Sequence, residues 1–420
     1  MTSNTVLHHQ FENGFTLVAQ PMPWLASAAF AMSLPAGCRY DAADRVGTAS
    51  FASEMVQRGC GDLDSRQFIE QLQLLGVDYS SSVSNYHSWF GGAMKATELH
   101  DTLSIYRDVV RNPHLPEPQF EDGRMVCLQE IMAMEDDLSR KTLREVRLRH
   151  YGDPNGRGPD GTVDSISAMT YQQVADFVKN VYQPKGCILA VAGKIDFEAL
   201  RDHVAELFAD WTAGETPQAA ESVPTRGVYH MPFDSEQTHI ALACPGVAYT
   251  HEDFYTHRAA IGVLSDGLSS RLFHEVREKR GLCYTVFASC NSVGKEGSVI
   301  AYSGTSSARA QETLDVLVAE LQRLREGILP EELARLKVQF RSNLVMQQES
   351  CRSRAGSIAS DWYHLGRVRD IDEINGIISG LTVEAINEFL VDHYPRNFDL
   401  VTLGPSPLEL KEDAVSSAQA

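Results

Sequence analysis

The sequence predicts an α+β protein of two homologous domains, each a mainly antiparallel sheet with helices packed on it, related by internal duplication. Three observations lead to this fold class. The chain has 420 residues, enough for two or three domains at roughly 150 residues each. A segment near its middle recurs near its end. Helical and strand patterns interleave without the regular strand-helix-strand rhythm of a parallel sheet.

The duplication is visible in two matching segments. Residues 169–193 read MTYQQVADFVKNVYQPKGCILAVAG, and residues 381–404 read LTVEAINEFLVDHYPRNFDLVTLG. Each begins with a Thr suited to cap a helix, continues with apolar residues at helical spacing, breaks at a Pro and ends in an alternating run. The triplet Leu-Pro-Glu recurs at 115–117 and 329–331 at nearly the same offset. The two halves of the chain are therefore predicted to share one fold.

The domain boundaries follow from this offset and from the polar stretch TAGETPQAAES in the middle of the chain. The predicted N-terminal domain covers residues 1–212, the linker 213–222 and the C-terminal domain 223–410. Residues 411–420 are predicted to be a disordered tail.

The elements of the first half are assigned in chain order from local patterns. Short alternating runs predict strands, and apolar residues at every third or fourth position predict helices. The strands are placed at 16–19 and 26–34, and the helices at 48–57, 65–75, 98–111 and 118–149. Asn112-Pro113 provides the stop signal for the third of these helices.

Charge and composition exclude several classes of partner. The net charge is −19, so the surface repels phosphate backbones and anionic lipid, and neither nucleic acid nor membrane is an expected partner. No apolar stretch approaches the ~20 residues that a bilayer needs. The N-terminus shows no secretory signal, which predicts a cytoplasmic protein, or a periplasmic one if a leader precedes this sequence.

Cysteine usage points to reduced, buried thiols. The eight cysteines are scattered, and no two of them have C-x-x-C spacing. Structural zinc bound by thiolates is therefore not expected.

Four short segments carry the resemblance to a known family. They are AGCRYD at 36–41, GTASFASEM at 47–55, VCLQEI at 126–131 and SDGLSSRLFHEVREKRGLCYTV at 265–286. Together they resemble the pitrilysin/insulinase family of zinc metallopeptidases, the inverzincins, in its bacterial processing-peptidase-like branch. The resemblance extends over nearly the whole chain and includes the two-domain duplication.

The family's zinc motif is degenerate in this chain. In H-x-x-E-H, two His bind zinc on one helical face and the Glu is the general base. These positions fall on Ser50, Ser53 and Glu54, and the distal third ligand maps to Glu130. Serine hydroxyls are poor zinc ligands and cannot accept a proton from water as a base does. The chain is therefore expected to bind no zinc and to hydrolyse no peptide alone, although two carboxylates could still hold a metal weakly.

The resemblance also implies roles for two residues of the second half. In the family, an Arg and a Tyr seven residues apart hold the substrate backbone and stabilise the oxyanion across a closed chamber. These positions fall on Arg277 and Tyr284. The alternative is that Arg277 is an ordinary charged helix residue and Tyr284 a core residue of a strand. A further strand is predicted at 237–242, whose edge, if open, could pair with substrate backbone.

Loss of the zinc site with retention of the Arg/Tyr pair predicts that the catalytic groups are divided between two subunits. The chain would be the subunit without zinc in a heterodimeric metallopeptidase, and a homologous partner would carry H-x-x-E-H and the zinc. The substrate would be an unfolded peptide. Two alternatives remain open at this point: a structural subunit without proteolysis, and a stand-alone peptide-binding module.

Overall fold

The computed structural model describes residues 5–215, 218–220, 222–411 and 414–415. The strands, in chain order, are β1 Leu7–Gln10, β2 Thr16–Pro21, β3 Ser27–Leu34, β4 Gly59–Cys60, β5 Leu63–Asp64, β6 Asp78–Val83, β7 Ser88–Lys95, β8 Ile188–Gly193, β9 Val228–Pro232, β10 Gln237–Gly246, β11 Cys283–Val293, β12 Glu296–Ser306 and β13 Asp399–Gly404. Part of the predicted linker (216, 217 and 221) and most of the predicted tail (412–413 and 416–420) lie outside the described residues.

The α-helices, in chain order, are α1 Thr48–Met55, α2 Ser65–Leu74, α3 Leu99–Arg111, α4 Phe120–Asp136, α5 Leu138–Tyr151, α6 Val163–Ala168, α7 Tyr171–Val181, α8 Phe197–Phe208, α9 Phe254–Ser265, α10 Ala310–Arg323, α11 Pro330–Gln348, α12 Cys351–Leu365, α13 Ile371–Gly380 and α14 Val383–His393. The long helix predicted at 118–149 is two helices, α4 and α5. They separate at Asp137, whose side chain accepts a hydrogen bond from the Arg140 amide at 3.0 Å and caps α5.

The chain forms two compact units, both of which are discontinuous in sequence. Unit 1 consists of Met1–Met132, Gly158–Ala220 and Leu344–Glu373, and unit 2 of the remaining segments, Ala133–Arg157, Glu221–Asn343 and Ile374–Ala420. The compact units differ from the contiguous domains predicted above, because each unit includes one helical segment from the other half of the sequence. Unit 1 contains α12, and unit 2 contains α5.

Unit 1 is built on a six-stranded sheet in the order β1-β2-β8-β3-β7-β6, in which only β2 and β8 pair in parallel. Because side chains alternate between the two faces of a strand, neighbouring residues pack into different hydrophobic cores. Leu17 and Phe30 belong to the main core beneath the helices, whereas Val18 and Ala31 pack towards α12 on the opposite face. Burial on both faces explains why these strands read as nearly continuous apolar runs.

Unit 2 repeats this plan with five strands in the order β11-β12-β10-β13-β9, and only β9 and β13 pair in parallel. Ile240 and Leu242 face the main core, whereas Ala241 and Ala243 pack on α5. The predicted Thr caps are present, because Thr170 Oγ1 accepts the Gln173 amide and Thr382 Oγ1 accepts the Ala385 amide at 3.1 Å. The α+β fold class with duplicated domains is confirmed.

The strand predicted at 237–242 is present, but the open edge that peptide binding would require is not. The segment 237–242 is the start of β10, which lies between β12 and β13. Both of its edges are therefore paired, and it has no open edge to offer to a peptide.

Within the described residues no single helix is long and apolar enough to cross a bilayer, and only the bent pair α13 and α14 meets those limits when taken together.

Candidate functional site

The N-terminus of α1 is fixed by a buried carboxylate. Asp41 accepts hydrogen bonds from the Gly47 amide at 2.8 Å and the Ala49 amide at 2.9 Å. Two of the amides that a helix N-terminus leaves unpaired are thereby satisfied. Gly47 has φ of +92°, and a Cβ there would lie 2.8 Å from the Ile166 side chain. The sequence analysis placed the AGCRYD segment beside the motif without identifying Asp41 as the helix cap.

Both serines of the degenerate motif lie on α1 as predicted, and each is accommodated by its surroundings. Ser50 donates a hydrogen bond from Oγ to the Pro159 carbonyl at 2.8 Å. Ser53 is buried, and its carbonyl accepts a hydrogen bond from Gln57 Nε2 at 2.8 Å. The Ser50 hydroxyl is thus already engaged with the protein backbone.

Glu54, at the second ligand position, is neutralised by an arginine one turn away. Arg58 donates hydrogen bonds to Glu54 Oε1 from Nε at 3.0 Å and from Nη2 at 2.8 Å, in a partly buried pair. Two neighbouring carboxylates without a cation between them can either raise each other's proton affinity or be paired with a basic side chain. For Glu54 the structure shows the second of these.

At Glu130 the proton affinity of the carboxyl is raised instead. Partial burial of its carboxyl is the largest cause of a raised pKa, followed by the negative charges of Glu54 and Asp160. The two carboxylates therefore lie close enough to interact, as the family geometry implies. Nearby Cys127 adds no thiolate, because burial first, and then Glu130 and Glu54, raises the pKa of its thiol to about 12.

These residues do not fit a zinc ion. The first ligand position, Ser50, carries a neutral hydroxyl, the Glu54 carboxylate at the second is held by Arg58, and zinc sites in proteins require three or four N, S or carboxylate ligands. Across the part of the chain that the structure describes, no three His, Cys, Asp or Glu side chains are grouped so that they could hold one ion.

The raised pKa of Glu130 predicts how stability depends on pH. Because the folded state binds this proton more tightly than the unfolded state, ionisation of Glu130 destabilises the fold at neutral pH. Glu130→Gln should therefore raise Tm at pH 7–8, and the gain should shrink as pH falls towards 4.5. Glu121→Gln, on the same helix, is the control, and it should lower Tm at pH 7–8. The reason is that Arg124 lowers the pKa of Glu121, so the ionised carboxylate stabilises the folded state. A lower Tm for Glu130→Gln at pH 8 would contradict this account.

In unit 2, Arg277 lies on a π-helix that spans Phe273–Glu278. The Lys279 amide donates to the His274 carbonyl at 2.9 Å, five residues back, and the turn closes with Gly281 at φ of +56°. π-Turns of this kind are often found at functional sites.

The guanidinium of Arg277 lies between two aromatic rings. Its Cζ is 4.7 Å from the centre of the Phe273 ring and 4.7 Å from that of the Tyr284 ring. In the described part of the chain the Arg277 side chain has no hydrogen-bond or ion-pair partner. Its N–H donors are therefore held by stacking and remain available to an acceptor. Phe273 was missed by the sequence analysis, although it stands one helical turn before Arg277.

Tyr284 is not a core residue. It lies where the β11–β12 register shifts between Cys283 and Thr285, and it is 81% exposed. Bulges of this kind redirect a side chain away from the regular pleat. The alternative of a core strand residue is therefore wrong for Tyr284, and the structure brings the predicted pair into direct contact.

The charged neighbours of Arg277 are all paired. The Glu275 carboxylate accepts from Arg280 at 2.6 Å and from Lys279 at 3.1 Å, and Arg280 is the first cause of a lowered pKa for Glu275. Arg271 makes a two-pronged ion pair with Glu332, with both distances 2.7 Å. Arg277 therefore differs from these neighbours, which form ion pairs as charged residues on a helix surface commonly do.

Comparisons with known proteins show which sequences and folds this chain resembles. The sequence model described as "Insulinase (Peptidase family M16)" matches residues 18–152, and the one described as "Peptidase M16 inactive domain" matches residues 168–340. An uncharacterized zinc protease of Rickettsia felis is 25% identical, over 90% of this chain and 92% of that protein. One of Mycobacterium tuberculosis (strain ATCC 25618 / H37Rv) is 28% identical, over 93% and 91%.

Two solved structures show the same fold. A peptidase M16 inactive domain from Pseudomonas fluorescens has a TM-score of 0.88 at 19% identity, covering 97% of this chain and 100% of that one. A protease from Helicobacter pylori has a TM-score of 0.85 at 19% identity, covering 96% and 100%.

Proposed function

Because this chain belongs to the insulinase (M16) family of peptidases, we propose that it is the subunit without zinc in a heterodimeric metallopeptidase. In this proposal Arg277 and Tyr284 bind the substrate and stabilise the oxyanion in the active site of a homologous, zinc-bearing partner. The observation that carries the proposal is the contrast between the two sites. The motif on α1 has lost its ligands, whereas Arg277 keeps unpaired donors beside an exposed phenol.

The chemistry of the pair suits a carbonyl that gains negative charge. A guanidinium and a phenol are both hydrogen-bond donors, and donors fixed in advance stabilise the charge that develops on the carbonyl oxygen. Stacking of Arg277 between two rings holds the guanidinium in place, and its N–H groups can still donate to a substrate. A purely structural subunit would have no physical need for an unpaired guanidinium next to an exposed Tyr284, which argues against that alternative.

The need for a partner follows from what α1 lacks. Ser53 provides no carboxylate to accept a proton from water, and the side chains at the ligand positions do not fit a zinc ion. Activation of water must therefore come from another chain. A homologous subunit containing H-x-x-E-H meets this need most simply, and zinc belongs to that subunit in this proposal.

In this proposal the substrate is an unfolded peptide, and an exposed sheet edge supports it. β6 lies at the edge of its sheet and is almost entirely exposed. It is connected to the turn after α1 by a hydrogen bond from Gln57 Nε2 to Ser81 Oγ at 3.1 Å. An edge of this kind can take an extended peptide as an additional strand. It replaces the segment 237–242 in the proposal.

The isolated chain should carry no stoichiometric zinc and should not cleave an unstructured peptide. The physical reason is that neutral hydroxyls stand where an imidazole and a general base are required. Metal analysis of the purified protein and a fluorogenic peptide assay measure both properties. About one tightly bound zinc per chain, or chelator-sensitive cleavage without a partner, would overturn the proposal.

A stand-alone peptide-binding module is the second candidate, and the exposed β6 edge favours it. It predicts that the isolated chain binds peptides and that adding an H-x-x-E-H homologue produces no gain in hydrolysis. The heterodimer proposal predicts the gain.

A further inference from the structure

A second arginine, in unit 1, has no polar partner and stacks on tyrosine. Arg39 follows β3 in a short helical turn, and its Cζ is 4.1 Å from the centre of the Tyr86 ring and 5.8 Å from that of the Tyr40 ring. Tyr363 on α12 completes the cluster, with its ring centre 6.3 Å from that of Tyr86. All four side chains are partly exposed.

Arg39 differs from most arginines of unit 1 in having no carboxylate beside it. Arg58, Arg124 and Arg369 are each paired with an acidic side chain. Arg39 has no hydrogen-bond or ion-pair partner from its side chain among the described residues, and its Nε is buried without an acceptor. In a chain of net charge −19, where acidic residues are abundant, this leaves a local cation whose Nε–H has no acceptor among the described residues.

The backbone holds this cluster in place before any ligand arrives. The amides of Gly37, Cys38 and Arg39 donate to the carbonyls of Tyr86, Ser84 and Asn85 at 3.0–3.1 Å. A Cβ on Gly37 would lie 2.3 Å from the Asn85 carbonyl oxygen, so only glycine permits this approach. The turn that carries Arg39 is thus fastened to the β6–β7 hairpin that carries Tyr86.

We propose that Arg39, together with the hydroxyls of Tyr40, Tyr86 and Tyr363, is a binding site for a carboxylate of a peptide ligand. Stacking on Tyr86 occupies the face of the guanidinium and leaves its edge, the fork of N–H donors that matches a carboxylate, directed elsewhere. The phenols supply further donors at neutral pH. Burial, followed by the charges of Tyr86 and Tyr40, raises the pKa of Tyr363 to about 12 and keeps that hydroxyl protonated.

The proposal rests on the proposed function only for the peptide nature of the ligand. It needs no partner subunit, no zinc and no hydrolysis, so binding by the isolated chain tests it separately. The carboxylate could be the C-terminus of the peptide or an acidic side chain, and these two sources call for separate arms of one experiment.

Fluorescence anisotropy on the isolated full chain provides the test. Three probes share one pentapeptide sequence with uncharged side chains and a label at the N-terminus. The first has a free C-terminal carboxylate, and the second has a C-terminal amide. The third has the C-terminal amide and one internal Glu. At least one carboxylate-bearing probe should bind about tenfold more tightly than the neutral amide, as expected for a charged hydrogen bond. The arm that shows the preference identifies the source.

Substitutions then assign the preference to this cluster. Arg39→Gln should abolish it, whereas Arg45→Gln, which removes the same charge from an exposed arginine paired with Asp44, should leave it intact. Tyr363→Phe removes one donor while keeping the ring, and should weaken the preference even if Arg39→Gln proves unstable in a thermal melt. Equal affinity for all three probes, or a preference that survives both Arg39→Gln and Tyr363→Phe, would overturn the proposal.

Discussion

Replacing Tyr284 by Phe should lower kcat of the proposed heterodimer about 10²–10³-fold, with folding and assembly unchanged. The substitution deletes one exposed hydroxyl and keeps the ring that stacks on Arg277. The loss should fall on kcat more than on KM, because the hydrogen bond strengthens as charge develops on the carbonyl oxygen. Peptide hydrolysis by the reconstituted pair measures it, with assembly checked by size-exclusion chromatography.

Unit 2 offers a matched control for this experiment. Tyr229 also stacks on an arginine, with Arg149 Cζ 3.8 Å from its ring centre, but that guanidinium is paired with Glu145 at 2.7 Å. Tyr229→Phe should therefore leave kcat unchanged. Arg277→Ala should lower kcat at least as much as Tyr284→Phe, but it also removes stem contacts, so its Tm must be measured alongside. Normal assembly with wild-type turnover in both site variants would refute the cross-subunit role.

The second large effect is the gain of a metal site. Ser50→His with Glu54→His places two imidazoles at i and i+4 on α1, facing Glu130, and so restores a His₂Glu ligand set. Ser53 stays unchanged because it is buried and takes no part in binding the metal. The double variant should bind about one zinc per chain with Kd below about 1 μM, equivalent to more than about 8 kcal/mol. Calorimetric titration and metal analysis measure this.

Two further variants test whether the zinc occupies the intended position. Adding Glu130→Gln should weaken binding strongly, because it removes the only charged ligand of the set. Adding Arg58→Ala should strengthen binding, because Arg58 loses its Glu54 partner in the double variant and leaves a cation near the metal. Zinc affinity unaffected by Glu130→Gln would show that the inferred proximity of α1 and α4 is wrong.

The duplication could be predicted because local sequence features repeat: a Thr cap, helical spacing, a Pro and a strand recur in both halves. It could not be predicted that α12, from the second half of the sequence, belongs to unit 1, or that α5, from the first half, belongs to unit 2. Apolar periodicity shows which face of a helix is buried but not which sheet covers it. The Asp137 cap that separates α4 from α5 was also overlooked, because the helical pattern continues on both sides of it.

For the site, the resemblance identified positions, and the structure added their surroundings. Spacing alone could not decide whether Arg58 or a proton would neutralise the carboxylates, since that depends on the fold of the turn after α1. The exposure of Tyr284 arises from a register shift between β11 and β12, which depends on pairing across the sheet. Phe273, by contrast, could have been predicted, because an aromatic residue four positions before Arg277 in a helix lies on the same helical face.

The most direct test of the central claim is peptide hydrolysis by a homologous H-x-x-E-H subunit from the same cells, measured alone and after addition of this chain. The account predicts that kcat/KM rises at least about 10²-fold on addition of the wild-type chain and that most of this gain is lost with Tyr284→Phe. Full activity of the zinc-bearing subunit alone, or an equal gain from wild-type and Tyr284→Phe chains, would contradict it.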